Sequence, residues 1–128
     1  MEDTIVAVST AMANGAISII RVSGKEAFSV VSHVFKPKDA FFNILNPTPN
    51  TIKYGTIIEN DKVIDEVLVS FFKAPNSYTT ENTVEINCHG GIVVVRKILD
   101  LLLCQMFICY SEYSCDRDSV IIYVGGWK

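Results

Sequence analysis

The stretch ENTVEINCHGGIVVV, residues 81–95, changes its apolar spacing from that of a strand to that of a helix across one pair of glycines. In an extended chain Val84, Ile86 and Cys88 fall on one face and Glu85, Asn87 and His89 on the other, so the first set requires a core beneath it. After Gly90 and Gly91 the run IVVVRKILDLLL sorts Val95, Ile98, Leu99 and Leu102 onto one side of a helical wheel and Arg96, Lys97 and Asp100 onto the other. Its β-branched opening leaves strand as the alternative. Twelve residues is long for a strand, however, and a helix is expected.

The rest of the chain reads in the same terms. TIVAVS (4–9) and AISIIRV (16–22) are short runs rich in Ile and Val. SGKE (23–26) has the form of a capping box, with Ser23 accepting from the first-turn amides and Glu26 reaching back. It predicts a helix over 24–35 carrying Ala27, Val30, Val31, Val34 and Phe35 at helical spacing, ended by Pro37. Residues 36–50 hold three of the four prolines and read as a loop. TIKYGTIIE and VIDEVLVSFFKA around NDK read as a β-hairpin, closed by Pro75 and Asn76. The order strand, strand, helix, hairpin, strand, helix predicts an α+β fold, a mixed β-sheet with helices on one face. A chain of 128 residues has room for one such core.

Composition excludes several functions. A formal charge of −3 gives no basic surface for nucleic acid, so RNA would be held by other chains or domains. No apolar run approaches the roughly 18–20 residues of a membrane span, and MEDTIVAVST lacks the basic start of a signal peptide, so a cytoplasmic protein is expected. Cys88, Cys104, Cys109 and Cys115 contain no CxxC pair, which disfavours zinc and suits reduced thiols. SGK at 23–25 has no upstream glycine at phosphate-loop spacing, so nucleotide hydrolysis is not expected.

Two features suggest a site. Glu85, Asn87 and His89 share a strand face that ends at a Gly-Gly turn, near backbone amides able to meet an anion or a ligand carbonyl. This is either the floor of a pocket or a solvated strand face, and the pattern alone allows both. His89 taken singly has an ordinary structural reading as a hydrogen-bonded side chain. Arg21 ends the run AISIIR, where a guanidinium reads a planar heterocycle or closes an internal salt bridge, for which Glu85 is a candidate partner. SYTTEN (77–82), with Glu81, reads as turn chemistry. Tyr54, Tyr78 and Phe72 are available either to stack on a ring or to fill the core.

Taken together, DTIVAVSTAMANGAISIIRVSG (3–24), VIDEVLVSFFKAPNSYTTENTVEINCHGG (63–91) and the apolar helix to Leu103 resemble the N-terminal domain of the tRNA modification GTPase family called MnmE or TrmE. The resemblance implies a fold like the tetrahydrofolate-binding domain of glycine-cleavage T-protein and dimethylglycine oxidase. It also implies binding of a 5-formyl-tetrahydrofolate type of one-carbon donor, homodimerisation, and service, with a flavin-dependent MnmG partner, in C5 modification of the tRNA wobble uridine. The positions matching folate contacts are Arg21 and Glu85, with His89, Gly90 and Gly91 shaping the wall. GTP, potassium and magnesium belong to the family's G domain, for which this chain has no counterpart, and GTP hydrolysis is not expected of it.

The chain also departs from the family. Ala11, Met12 and Ala13 stand where a Pro-Pro-Gly turn is usual, and Thr79, Thr80, Glu81 and Asn82 where Thr-Gly-Glu-Asp is usual. From Cys104 onward CQMFICYSEYSCDRDSVIIYVGGWK replaces a Pro-Gly-Glu-Phe segment and an Asn-Gly-Lys/Arg-Leu/Ile-Asp-Leu stretch that carries a further basic folate contact. The expected division is a folate-binding and dimerisation domain over 1–103 and a non-family tail over 104–128, produced by a frame change or fusion near codon 104. The alternative is a self-associating interaction domain or remnant without folate binding. A freestanding one-carbon transferase ranks last, because the chain is short and has no matching catalytic aspartate.

Overall fold

The computed structural model describes residues 4–8, 17–75, 80–108 and 123–124. Its elements are β1 (Ile5–Val8), β2 (Ser18–Ser23), α1 (Ala27–Ser32), β3 (Phe35–Pro37), β4 (Thr51–Glu59), β5 (Lys62–Phe72), β6 (Thr83–Cys88), α2 (Gly91–Ile108) and β7 (Tyr123–Val124). The strands form one sheet in the order β3-β4-β5-β6-β2-β1-β7. Pairing is antiparallel except that the two-residue β7 runs parallel to β1. Both helices pack into one apolar cluster with the inward side chains of the sheet. The result is the expected α+β fold, with helices on one face.

The hairpin forms where the NDK turn placed it. Asn60 and Asp61 both take positive φ, 49° and 65°, which is the backbone a two-residue turn needs to follow the twist of its strands. Ile57 pairs with Asp65 and Ile58 with Val63, so Ile64 is an extra residue and β5 carries a bulge at its start. Beyond the bulge Val67, Val69 and Phe71 point inward and are buried. The alternation in β6 is equally direct, with Val84, Ile86 and Cys88 all at 0% exposure. In α2, Val95, Ile98, Leu99 and Leu102 are buried and Arg96 and Lys97 exposed, as the wheel requires.

The first helix departs from its sequence pattern. It covers Ala27–Ser32 rather than 24–35, and no side chain caps its start, so the capping box does not form. Ser23 is instead the last residue of β2, and its hydroxyl donates to the Glu81 carboxylate at 3.2 Å. Gly24 prolongs the ladder, its amide donating to the Asn82 carbonyl at 2.9 Å. The orphan amide of Glu26 is met from outside the helix by the Thr4 hydroxyl, 3.0 Å away. At the other end Pro37 closes an edge strand, not a helix: Phe35, Lys36 and Pro37 pair with Ile57, Thr56 and Gly55. Val34 and Phe35 are buried as their spacing implied, but Val34 lies in the turn after α1 and Phe35 on extended backbone.

Gly55 makes this edge possible. A Cβ there would press on the Lys36 carbonyl oxygen and lie 2.6 and 2.8 Å from two Phe35 ring carbons. Gly55→Ala must therefore push β3 away from β4, at a cost of about 1–3 kcal/mol. A lower urea midpoint at unchanged slope is the expected result. An unchanged midpoint would show that β3 yields freely.

Candidate functional site

The strand registers place specific side chains in rows across the face that carries no helix. One row runs Ala7, Arg21, Glu85, Ser70, Ile52, and the next runs Ile19, Asn87, Leu68, Tyr54. The first row holds an ion pair. Arg21 Nε donates to Glu85 Oε2 at 2.8 Å, and Nη2 donates to the same oxygen. Both side chains are largely covered, at 17% and 23% exposure. The internal salt bridge considered from the sequence is thus present, and it lies on an open face. Oε1 accepts no hydrogen bond from the described residues. This charge-assisted contact anchors one carboxylate oxygen and leaves the other facing outward.

The second row sets Asn87 among apolar side chains, with Tyr54 44% and Leu68 40% exposed, beside Ile52 at 64%. Tyr54 does not fill the core, whereas Phe71, the neighbour of Phe72 on the opposite face, does. Tyr78 lies outside the described residues. The Tyr54 hydroxyl is held above its ordinary pKa, first by burial, then by the Glu66 charge and by the hydrogen bond it donates to that carboxylate. Next to the ion pair, Ser23 and Thr83 are buried with their hydroxyl oxygens 3.4 Å apart. With Glu81 they form a polar group that sequence reading had divided between a helix cap and a turn.

His89, Gly90 and Gly91 occupy the turn from β6 into α2. The amides expected to meet an anion are already engaged: His89 N and Gly90 N donate to Asp65 Oδ2 at 2.8 and 3.3 Å. Asp65 Oδ1 accepts from the Glu66 amide at 2.9 Å. Asp65 escaped the sequence reading although a signal existed, since it is a charged residue at the inward register of Val67 and Val69. The bulge beside it aims that carboxylate at the turn. His89 Nδ1 lies 3.1 Å from the Glu66 carbonyl oxygen. Gly90 leaves room for Val94, whose side chain would be 2.6 Å from an added Cβ. Gly91 has φ 82°, where a side chain is strained.

The structure therefore brings Arg21 and Glu85 into contact. It sets His89 just beyond the end of β6, away from the ion pair, and leads through Gly90 and Gly91 into α2. Cys88, on the opposite face, has its thiol pKa pushed up to about 12 by burial and, secondarily, by the Asp65 charge, so it stays protonated and unreactive at neutral pH. Cys104 is exposed; Cys109 and Cys115 lie outside the described residues. No helix among the described residues is long and apolar enough to cross a membrane. What the open face offers is a fixed carboxylate, a guanidinium and an adjoining apolar platform. In chemical terms such groups can meet a flat heterocycle with hydrogen-bond donors on one edge.

A family model described as GTP-binding protein TrmE N-terminus matches residues 4–112. The tRNA modification GTPase MnmE of Carboxydothermus hydrogenoformans is 51% identical over 108 residues, covering 82% of this chain and 23% of that protein. Its counterpart from Bacillus mycoides is 50% identical over 105 residues, 80% of this chain and 22% of that protein. The one from Clostridioides difficile is 46% identical over 103 residues, with coverage of 80% and 22%. The chain thus spans less than a quarter of the length of these relatives.

Proposed function

The chain belongs to the family of TrmE N-terminal domains, and from that membership we propose that it binds a tetrahydrofolate one-carbon donor, of the 5-formyl-tetrahydrofolate type, on the helix-free face of its sheet. The observation that carries this reading is the Arg21–Glu85 pair, held across β2 and β6 beside an apolar row. A pterin presents N–H donors along one edge, and Glu85 Oε1, the oxygen that Arg21 does not engage, is the acceptor they would meet. Arg21 anchors that carboxylate through Oε2 and balances its charge. Ile19 and Leu68 flank the pair and supply apolar contact for the ring, while His89, Gly90 and Gly91 bound the far end. The folate supplies the one-carbon chemistry, and the protein supplies orientation.

The wider role follows the relatives named tRNA modification GTPase. In this reading the module is cytoplasmic, pairs with a second copy of itself, and serves C5 modification of the wobble uridine together with an MnmG-type flavin protein and tRNA. GTP hydrolysis belongs to the G domain of the whole protein. In this reading Glu85 and Arg21 carry the anchoring.

Calorimetric titration of the 128-residue chain with 5-formyl-tetrahydrofolate should give saturable binding, one site per chain. The melting temperature should rise with ligand, since occupancy at about 100 times Kd adds roughly 2.7 kcal/mol to the native state. Absence of both heat and thermal shift would leave the self-associating domain as the better reading.

A further inference from the structure

The formal charge of −3 conceals a local reversal, since residues 33–58 hold three lysines and one aspartate, an excess of +2. The aspartate is spent inside the fold. Asp39 Oδ1 accepts from the Phe41 amide at 3.0 Å, its carbonyl from the Phe42 amide at 3.2 Å, and Oδ2 from Lys53 Nζ at 3.1 Å. This turn sends two neighbouring rings in opposite directions. Phe42 goes inward, its centroid 5.0 Å from that of Phe71. Phe41 is thereby held outward at 98% exposure, on a backbone fixed by the Asp39 turn and the buried side of Phe42.

Lysines flank this open ring. Lys36 lies on the edge strand β3 and Lys38 just beyond it, both exposed. Lys38 is three residues from Phe41, no more than about 11 Å between Cα atoms. Lys73, at the end of β5, donates to the Asn46 side chain and so joins the far end of the same segment. None of these three forms a salt bridge with a described residue. Glu66, the carboxylate beside Tyr54, is engaged by the Tyr54 hydroxyl.

Ammonium groups on flexible stems follow a phosphate backbone, and an open ring stacks on any base. An acidic peptide would use the lysines but give the ring no planar partner. We propose that this β3 edge contacts single-stranded RNA, with one base stacked on Phe41 and neighbouring phosphates facing Lys36, Lys38 and Lys73. The assignment rests on the tRNA-serving part of the proposed function and on none of the folate contacts, because β4 and β5 separate this edge from β6. Three lysines make a weak, salt-sensitive contact, suited to an anticodon loop whose main hold lies on other chains or domains.

The test is a fluorescence anisotropy titration of the 128-residue chain with a labelled anticodon stem-loop bearing uridine at the wobble position, repeated over a salt series. Binding at low salt should fall with a log–log slope of about −2, from three phosphate contacts at about 0.7 each. Phe41→Ala should weaken binding about fivefold at unchanged slope, the lower end of base–aromatic stacking, and Phe41→Trp should restore it. Lys36→Gln combined with Lys38→Gln should reduce the slope to about −0.7. The affinity for 5-formyl-tetrahydrofolate should be the same in all these variants, so failure of folate to bind the parent chain would leave the RNA result standing. No binding of the stem-loop, or equal binding by the Phe41 and lysine variants, would overturn the assignment even where folate binds. Capture of the chain by phosphatidylglycerol vesicles through Phe41, without RNA binding, would make the patch a membrane contact instead. A change in sedimentation on Phe41→Ala would make it a face covered by a second copy, and would equally overturn the RNA contact.

Discussion

Phe71→Ala is expected to cost about 3–5 kcal/mol, a large part of the roughly 5–15 kcal/mol that holds a domain of this size together. Phe71 is fully buried at the centre of the inner sheet face. Its ring meets Phe42, Phe28 and Phe35 at centroid distances of 5.0, 6.1 and 6.4 Å, in tilted arrangements. Those three partners come from the 38–50 segment, α1 and β3, so one ring joins parts of the chain that otherwise meet the sheet separately. The resulting cavity cannot easily collapse, because the Phe71 backbone is fixed on both sides, opposite Thr51 on β4 and Val84 on β6. Phe71→Leu keeps an apolar side chain there but forfeits ring pairs that are worth about 0.5–1.5 kcal/mol each, and should fall between the two. Urea unfolding followed by far-ultraviolet dichroism would measure the series. Equal midpoints for the alanine variant and the parent would mean that the core is organised elsewhere.

The same residues show where the sequence sufficed. Alternation in β6, the apolar stripe of α2 and the Asn60–Asp61 turn are local signals, decided within a few residues, and each produced the element it implied. The first helix failed because its signals were claimed by distant partners. Ser23 has the right chemistry for a cap, but Glu81 and Thr83 lie beside it once β2 and β6 pair, 58 and 60 residues apart in sequence. Val34 and Phe35 satisfy the helical spacing and are also buried as turn and strand residues, so periodicity could not separate the two. β3 exists only because β4 offers an edge with a glycine at the crossing point.

The site divides along the same line. Glu85, His89 and Arg21 were visible as residue types out of place in apolar runs. Their geometry was not, because it depends on register: Arg21 and Glu85 meet only because they are directly opposed on neighbouring strands. Asp65 was hidden for a similar reason. Its partners, the amides at the entry to α2, lie 24 and 25 residues away, and a bulge that no local pattern announced aims it at them.

Removal of the Glu85 carboxylate should have the largest effect on binding. Each hydrogen bond to a charged group contributes about 1.5–3 kcal/mol, so Glu85→Ala, which deletes the acceptor for the donor edge of the pterin, should weaken 5-formyl-tetrahydrofolate by at least about tenfold. Glu85→Gln separates charge from shape. It retains one acceptor but turns an NH₂ toward a ligand donor, and a site that leaves two donors facing each other rejects its ligand far more strongly than a missing methylene would. It should therefore bind nearly as poorly as the alanine variant. Loss of the ion pair itself should cost stability only about 1 kcal/mol or less, because both partners keep some contact with water. That difference is what makes the experiment decisive. If calorimetry shows binding lost in both variants while their ligand-free melting curves stay within a few degrees of the parent, the carboxylate acts on the ligand. If binding survives in Glu85→Ala, the folate does not sit at the ion pair, and the Arg21–Glu85 contact is a strut between β2 and β6.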